Sequence, residues 1–169
     1  RLVLERARTA REAIRIADEL TKLHGYNDYG EAFTFADKDE VWFFEIMGPG
    51  RGRTGAVWAA VRIPDDEVAV SANAPRIRTL DLKNPDTYMA SANIHSLAEE
   101  LGWWSAESGE PFEFSTVYGT RNAMGSRRRE WRALSRLAPS LHLDPNAEHY
   151  PLSVRPEKLP PLSVVFSRP

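Results

Sequence analysis

Between residues 31 and 72 the sequence passes through four strand-like stretches whose joins are too short to hold a helix. EAFTFAD (31–37) alternates through Phe33 and Phe35, and VWFFEIM (41–47) is aromatic and β-branched. TGAVWAAVR (54–62) and EVAVSA (67–72) follow. The joins are Asp37-Lys38-Asp39, GPGRGR (48–53) and Pro64-Asp65-Asp66, all built from turn formers. A parallel pair needs a crossover of a dozen or more residues, so strands this close in sequence run antiparallel. The second stretch is apolar on both of its faces, which predicts a sheet covered from both sides.

Helical patterns flank this meander. Residues 2–23 place Ala10, Ala13, Ile14, Ala17 and Leu20 on one side, with Gly25 as the stop. SANIHSLAEELG (91–102) lines up Ile94, Leu97, Ala98 and Leu101 before Gly102. SRRREWRALSRLAP (126–139) turns Trp131, Leu134 and Leu137 inward, with Ser126 as a candidate N-cap. Prolines then punctuate residues 139–161, which predicts an extended segment tacked down by Leu143, Tyr150 and Leu152. The class is α+β, with residues 1–162 expected as one domain and residues 163–169 as an end with no readable element. The chain begins at Arg1, inside a helical pattern, and reads as a piece of a longer protein, a processed chain, or one trimmed at its start.

Several chemistries have little support. Cysteine is absent, so thiolate ligands and an internal thiol nucleophile are excluded within this chain. His24, His95, His142 and His149 lack the spacing of paired ligands, so no metal and no other cofactor is expected. GPGRGR lacks the Lys-Ser/Thr ending of a phosphate loop and leads into a strand. No G-x-S-x-G elbow occurs. Arg127, Arg128, Arg129 and Arg132 form a basic run, but the net charge is −2 and exposed aromatics are not interleaved with it. A solvated helix face is therefore expected rather than a nucleic-acid surface. No apolar run is long enough to span a bilayer, and no signal-peptide pattern opens the chain. A cytoplasmic location is the expectation, with no membrane partner.

EVAVSANAPRI (67–77) ends its alternation on an amide, Asn73. Read locally, such an Asn is a turn former, because it tolerates the left-handed region and bonds nearby backbone. The functional alternative is a donor to a developing oxyanion, for which a strand tip is a rigid mount.

Five blocks then carry a resemblance: GEAFTFADKDEVWFFEIMGPG, VRIPDDEVAVSANAPRI, MASANIHSLAEELGWW, YGTRNAMGSRRREWRAL and YPLSVRPEKLP. Together, in this order, they resemble the cysteine-type dipeptidases of the N-terminal-nucleophile hydrolases, to which the secernins are related. The resemblance implies an αββα sandwich of two antiparallel sheets between helical layers. It implies hydrolysis of dipeptides by a cysteine that is residue one of the mature enzyme, with its own α-amino group as general base. It also implies that Asn73, which matches the strand-end asparagine of related amidases, binds the scissile carbonyl or its oxyanion.

An arginine soon after a serine at a helix start is implied to support the thiolate. Ser126-Arg127 fits best, and Arg128 nearly as well. Arg76 is close enough in sequence to Asn73 to meet a substrate carboxylate. Since this chain has no cysteine, it departs from the family pattern, and by itself it is expected to be inactive. The expected partners are a dipeptide, a missing upstream segment of the same protein that brings the nucleophile, and a second copy through exposed apolar surface. The alternative is a non-catalytic secernin-like scaffold with the same fold.

Overall fold

A computed structural model of the protein describes residues 1–119 and 124–157. It opens with a turn over residues 2–6, followed by α1 (Ala10–His24). The strands β1 (Glu31–Ala36), β2 (Val41–Met47) and β3 (Val57–Ile63) come next, then the short β4 (Val68–Ala69) and β5 (Tyr88–Ala90). After them come α2 (Ser96–Glu100), α3 (Phe114–Val117), α4 (Met124–Leu137) and β6 (Ser153–Val154). The main sheet is antiparallel, in the order β1-β2-β3-β5, with Thr34 opposite Phe43, Phe44 opposite Ala60, and Ala59 opposite Ala90. β4 and β6 form a separate two-stranded antiparallel ribbon. The fold is α+β.

Side-chain alternation divides the core. Trp42, Phe44 and Ile46 of β2 share one face with Ala10, Ile14 and Ala17 of α1. Phe43 and Met47 face the other way, against Ile77, Leu97 and Phe114. The sheet is thus covered on both sides, as the apolar second strand predicts. A third cluster joins Leu134 and Ala138 to Tyr150 and Val154, so the proline-rich tail is pinned where Tyr150 was expected. β1 is different: five of its six residues are exposed, Phe33 at 39% among them. Among the described residues it pairs only with β2.

Several boundaries differ from the sequence reading. The first helix begins at Ala10, not residue 2. Thr9 is extended at φ −133°, and its hydroxyl accepts from the Glu12 amide at 3.1 Å, while Glu12 reaches back to the Arg8 amide at 2.7 Å. The Thr9 cap sets the helix start, and Glu12 also satisfies the amide just before it. The third strand begins at Val57, because Gly55 at φ 114° precedes it. The fourth strand narrows to Val68–Ala69, since β6 offers it only Ser153 and Val154 as partners. The helix expected over 91–102 shortens to α2, though Ile94, Leu97 and Ala98 are buried as its periodicity requires. Ser126 is not an N-cap; it lies inside α4, which starts at Met124. Among the described residues, no helix is long and apolar enough to cross a membrane.

Candidate functional site

Asn73 does not stand at a strand tip as expected: β4 ends at Ala69, and Asn73 lies four residues on, in a bend that leaves the ribbon. The Val70 amide still donates to the Leu152 carbonyl at 3.3 Å, and Ala72 is buried. Asn73 then takes φ 57°, the left-handed region that Asn tolerates better than most residues. Its side chain is exposed at the rim of a cleft of about 410 Å³, whose lining includes Gly30, Glu31, Glu45, Met47 and Ser71. That cleft adjoins a larger groove of about 910 Å³ flanked by Tyr26, Trp103 and Tyr118, and the two share Tyr29 and Met47.

The arginine that meets Asn73 is Arg129. Its Nη1 donates to Asn73 Oδ1 at 3.1 Å, and its Nη2 donates to the Ala72 carbonyl at 3.0 Å and to Ser126 Oγ at 3.3 Å. Ser126 in turn donates to the Asn73 carbonyl at 3.4 Å. A guanidinium can only donate, so the amide must turn its oxygen toward Arg129. The –NH2 of Asn73 is then its free end, and no hydrogen bond of that group is found among the described residues.

Arg127, the expected neighbour, is half-buried, and its Nε is buried without a hydrogen-bond partner among the described residues. Arg128 is exposed and donates to Asn146 Oδ1 at 3.3 Å. A helical signal separates these arginines. Arg129 is three residues after Ser126 and shares its face, whereas Arg127 is about 100° round the helix by the 3.6-residue period.

Arg76 has another occupation than meeting solvent at the cleft. Its residue is 7% exposed. Its Nη1 donates to the Val70 carbonyl at 2.6 Å, and its Nη2 donates to the carbonyls of Pro151 at 2.6 Å and Tyr150 at 3.3 Å. Nη1 also lies 3.5 Å from Glu130 Oε2. The guanidinium therefore ties together β4, α4 and the tail beside β6. Burial alone lowers its pKa, and Glu130 and Glu45 act in the opposite direction.

Glu45 lies beneath this segment, 1% exposed, in the middle of β2. Its Oε1 accepts from the Arg76 amide at 2.6 Å and its Oε2 from the Ile77 amide at 3.1 Å. Desolvation pushes its carboxyl up to about 7; the two amides and the Arg76 charge pull down, and Glu130 pushes up. One visible signal pointed to it: an acid inside VWFFEIM, in a strand covered on both faces, has to be satisfied by hydrogen bonds.

Gly119 packs against the segment that follows Asn73. A Cβ there would lie 2.3 Å from Pro75 Cγ and 2.4 Å from the Ser115 carbonyl oxygen, so this backbone presses directly on the Asn73–Arg76 segment. Among the described residues, no three His, Asp or Glu side chains gather as a metal site would need.

The chain matches the model of peptidase family C69 over residues 1–164. It is 30% identical over 153 residues to a probable dipeptidase of Latilactobacillus sakei, covering 89% of this chain and 30% of that protein. To probable dipeptidase B of Lactococcus lactis subsp. lactis it is 40% identical over 127 residues, covering 74% of this chain and 24% of the relative. To a probable dipeptidase of Salmonella dublin it is 31% identical over 121 residues, or 72% and 26% of the two chains. These alignments take in 30%, 24% and 26% of the relatives' lengths, so the chain spans about a third of such proteins at most.

Proposed function

This chain belongs to peptidase family C69, and from that membership we propose that the protein containing it hydrolyses dipeptides. In this reading the chain supplies groups that bind and polarise the scissile carbonyl. The observation that carries it is the orientation of Asn73. Arg129 occupies its Oδ1 at 3.1 Å, which leaves the –NH2 as a donor at the rim of the cleft. A donor held still by its scaffold stabilises a developing oxyanion without reorganising as the charge forms. The names of the relatives, probable dipeptidases, support the same reading.

The nucleophile is a cysteine supplied by a part of the protein outside this sequence, which has none. Its sulfur attacks the carbonyl carbon after giving its proton to its own α-amino group. That group is far less basic than a lysine side chain and can be neutral near pH 7. The carbonyl oxygen gains charge facing the Asn73 –NH2. The proton then passes to the leaving amine as the peptide C–N bond breaks, and water later releases the acyl group.

Arg129 orients the amide. Arg127, whose Nε is buried without a hydrogen-bond partner among the described residues, is proposed to support the thiolate electrostatically. Arg76 is read as a brace of the site rather than as a ligand of the substrate carboxylate, because its donors are engaged by backbone carbonyls. The groove beside the cleft gives room for a substrate side chain. The exposed β1 is the face that the rest of the protein would cover.

The test uses the full-length protein on a panel of dipeptides, with wild type compared against Asn73→Gly. Glycine keeps the φ 57° backbone without strain and removes only the amide. The expected result is dipeptide cleavage with kcat lowered roughly 10²-fold or more in the variant. A wild-type protein inert on the whole panel would leave the scaffold reading standing. A variant as fast as wild type would remove Asn73 from the mechanism.

A further inference from the structure

We propose that Glu45 is a positioning residue that holds Asn73 in register with the cleft, acting through the backbone it clamps. The inference rests on the dipeptidase reading above. A carboxylate inside a doubly covered strand is costly unless its oxygens are satisfied. Here the partners at hydrogen-bond distance are two consecutive main-chain amides, of Arg76 at 2.6 Å and Ile77 at 3.1 Å. They belong to the segment that leaves Asn73. Pro75 has no N–H, so the Arg76 amide is the first one past Ala74 that a side chain can grip.

The segment is thus fixed from three directions. Arg129 and Ser126 of α4 hold Ala72 and Asn73. Gly119 presses on Pro75. Glu45 of β2 pins Arg76 and Ile77 from beneath, while lining the same cleft whose rim carries Asn73. Both charged side chains that act on Glu45, Arg76 and Glu130, are themselves buried. The arrangement therefore connects the main sheet to the bend that carries the donor.

Few other residues fit. Glutamine offers one oxygen and turns its –NH2 against the second amide, and an apolar residue leaves both amides unmade. A small drift of the segment moves the Asn73 donor relative to the scissile carbonyl. A displacement of about 1 Å costs on the order of 10²-fold in rate.

The experiment is a double-mutant cycle in the full-length protein, on a dipeptide that wild type cleaves, using Glu45→Gln, Asn73→Gly and the pair. If Glu45 acts through Asn73, Glu45→Gln lowers kcat roughly 10- to 100-fold with KM within about threefold. In the Asn73→Gly background it then has almost no further effect. Amide exchange at Arg76 and Ile77 accelerates in Glu45→Gln. Should Glu45→Gln fail to fold, Glu45→Asp keeps the carboxylate on a shorter stem and carries the same cycle. Additive losses, an effect on KM alone, or unchanged exchange at both amides would overturn the inference while the dipeptidase reading stands. A wild-type protein inert on dipeptides would remove both.

Discussion

Replacing Arg76 by Met tests the energetic logic of the site's support. Methionine keeps most of the stem volume and removes the guanidinium. The change strips donors from the carbonyls of Val70, Tyr150 and Pro151 and takes the counter-charge from Glu130, whose side chain is 1% exposed. An unmade hydrogen bond at a buried acceptor costs about 1–3 kcal/mol, and breaking one side of a buried ion pair costs about 3–5 kcal/mol. These overlap, because the same guanidinium serves all four groups, so the expected loss is about 4 kcal/mol rather than their sum.

In urea the unfolding midpoint of the full-length protein should fall by this loss divided by its measured slope, which is larger for a larger protein. Arg76→Met with Glu130→Met removes both members of the buried pair. A buried pair replaced by apolar residues is often neutral, so the double variant should recover a large part of the loss. A single variant within about 1 kcal/mol of wild type, or a double variant no better than the single, would show that the network contributes little.

Three other outcomes follow from named groups. The Glu45 carboxyl is raised in the folded chain, from 4.5 to about 7, so the folded state binds its proton more tightly than the unfolded state does. Its contribution to stability is therefore full below pH 4.5 and is lost as pH rises to about 7, a change on the order of 3 kcal/mol that Glu45→Gln should flatten in denaturation at a series of pH values. Gly119→Ala forces a methyl group to within 2.3 Å of Pro75 Cγ, and should cost roughly 1–3 kcal/mol by thermal unfolding. A variant as stable as wild type would mean that the contact gives way freely. Arg129→Met should slow dipeptide cleavage, whereas Arg128→Met should not, because only Arg129 touches the Asn73 amide. Equal rates for the two variants in kinetic assays would disconnect that amide from its arginine.

The meander and the faces of its helices were legible because each depends on residues close together in sequence. Phe43 and Met47 alternate with Trp42 and Ile46 in a way that any doubly covered strand would show. The start of α1 was misplaced because apolar spacing continues past the real boundary, where Thr9 forms the cap. β5 left no signal, since three residues, Tyr88–Ala90, cannot show an alternation. The site was half legible. Asn73 stood out as the end of an alternating stretch, although the strand itself stops at Ala69, and its partner is decided by the rotation of a distant helix, where one step along α4 moves a side chain about 100°. The Glu45–Arg76–Glu130 cluster draws on three separated elements, so no local pattern contains it.

The exposed β1 has a consequence for how this protein is made. EAFTFA carries no Lys, Arg or Pro, the residues that usually blunt an open strand edge, and it adds Phe33 at 39% exposure. Among the described residues β1 pairs on one side only, with β2, and a row of unpaired backbone groups is a template for another extended chain. During synthesis such an edge can pair with another segment of the same chain or with the same edge of a neighbouring copy. For an edge that is open among the described residues, the order in which segments emerge bears on which partner it meets first.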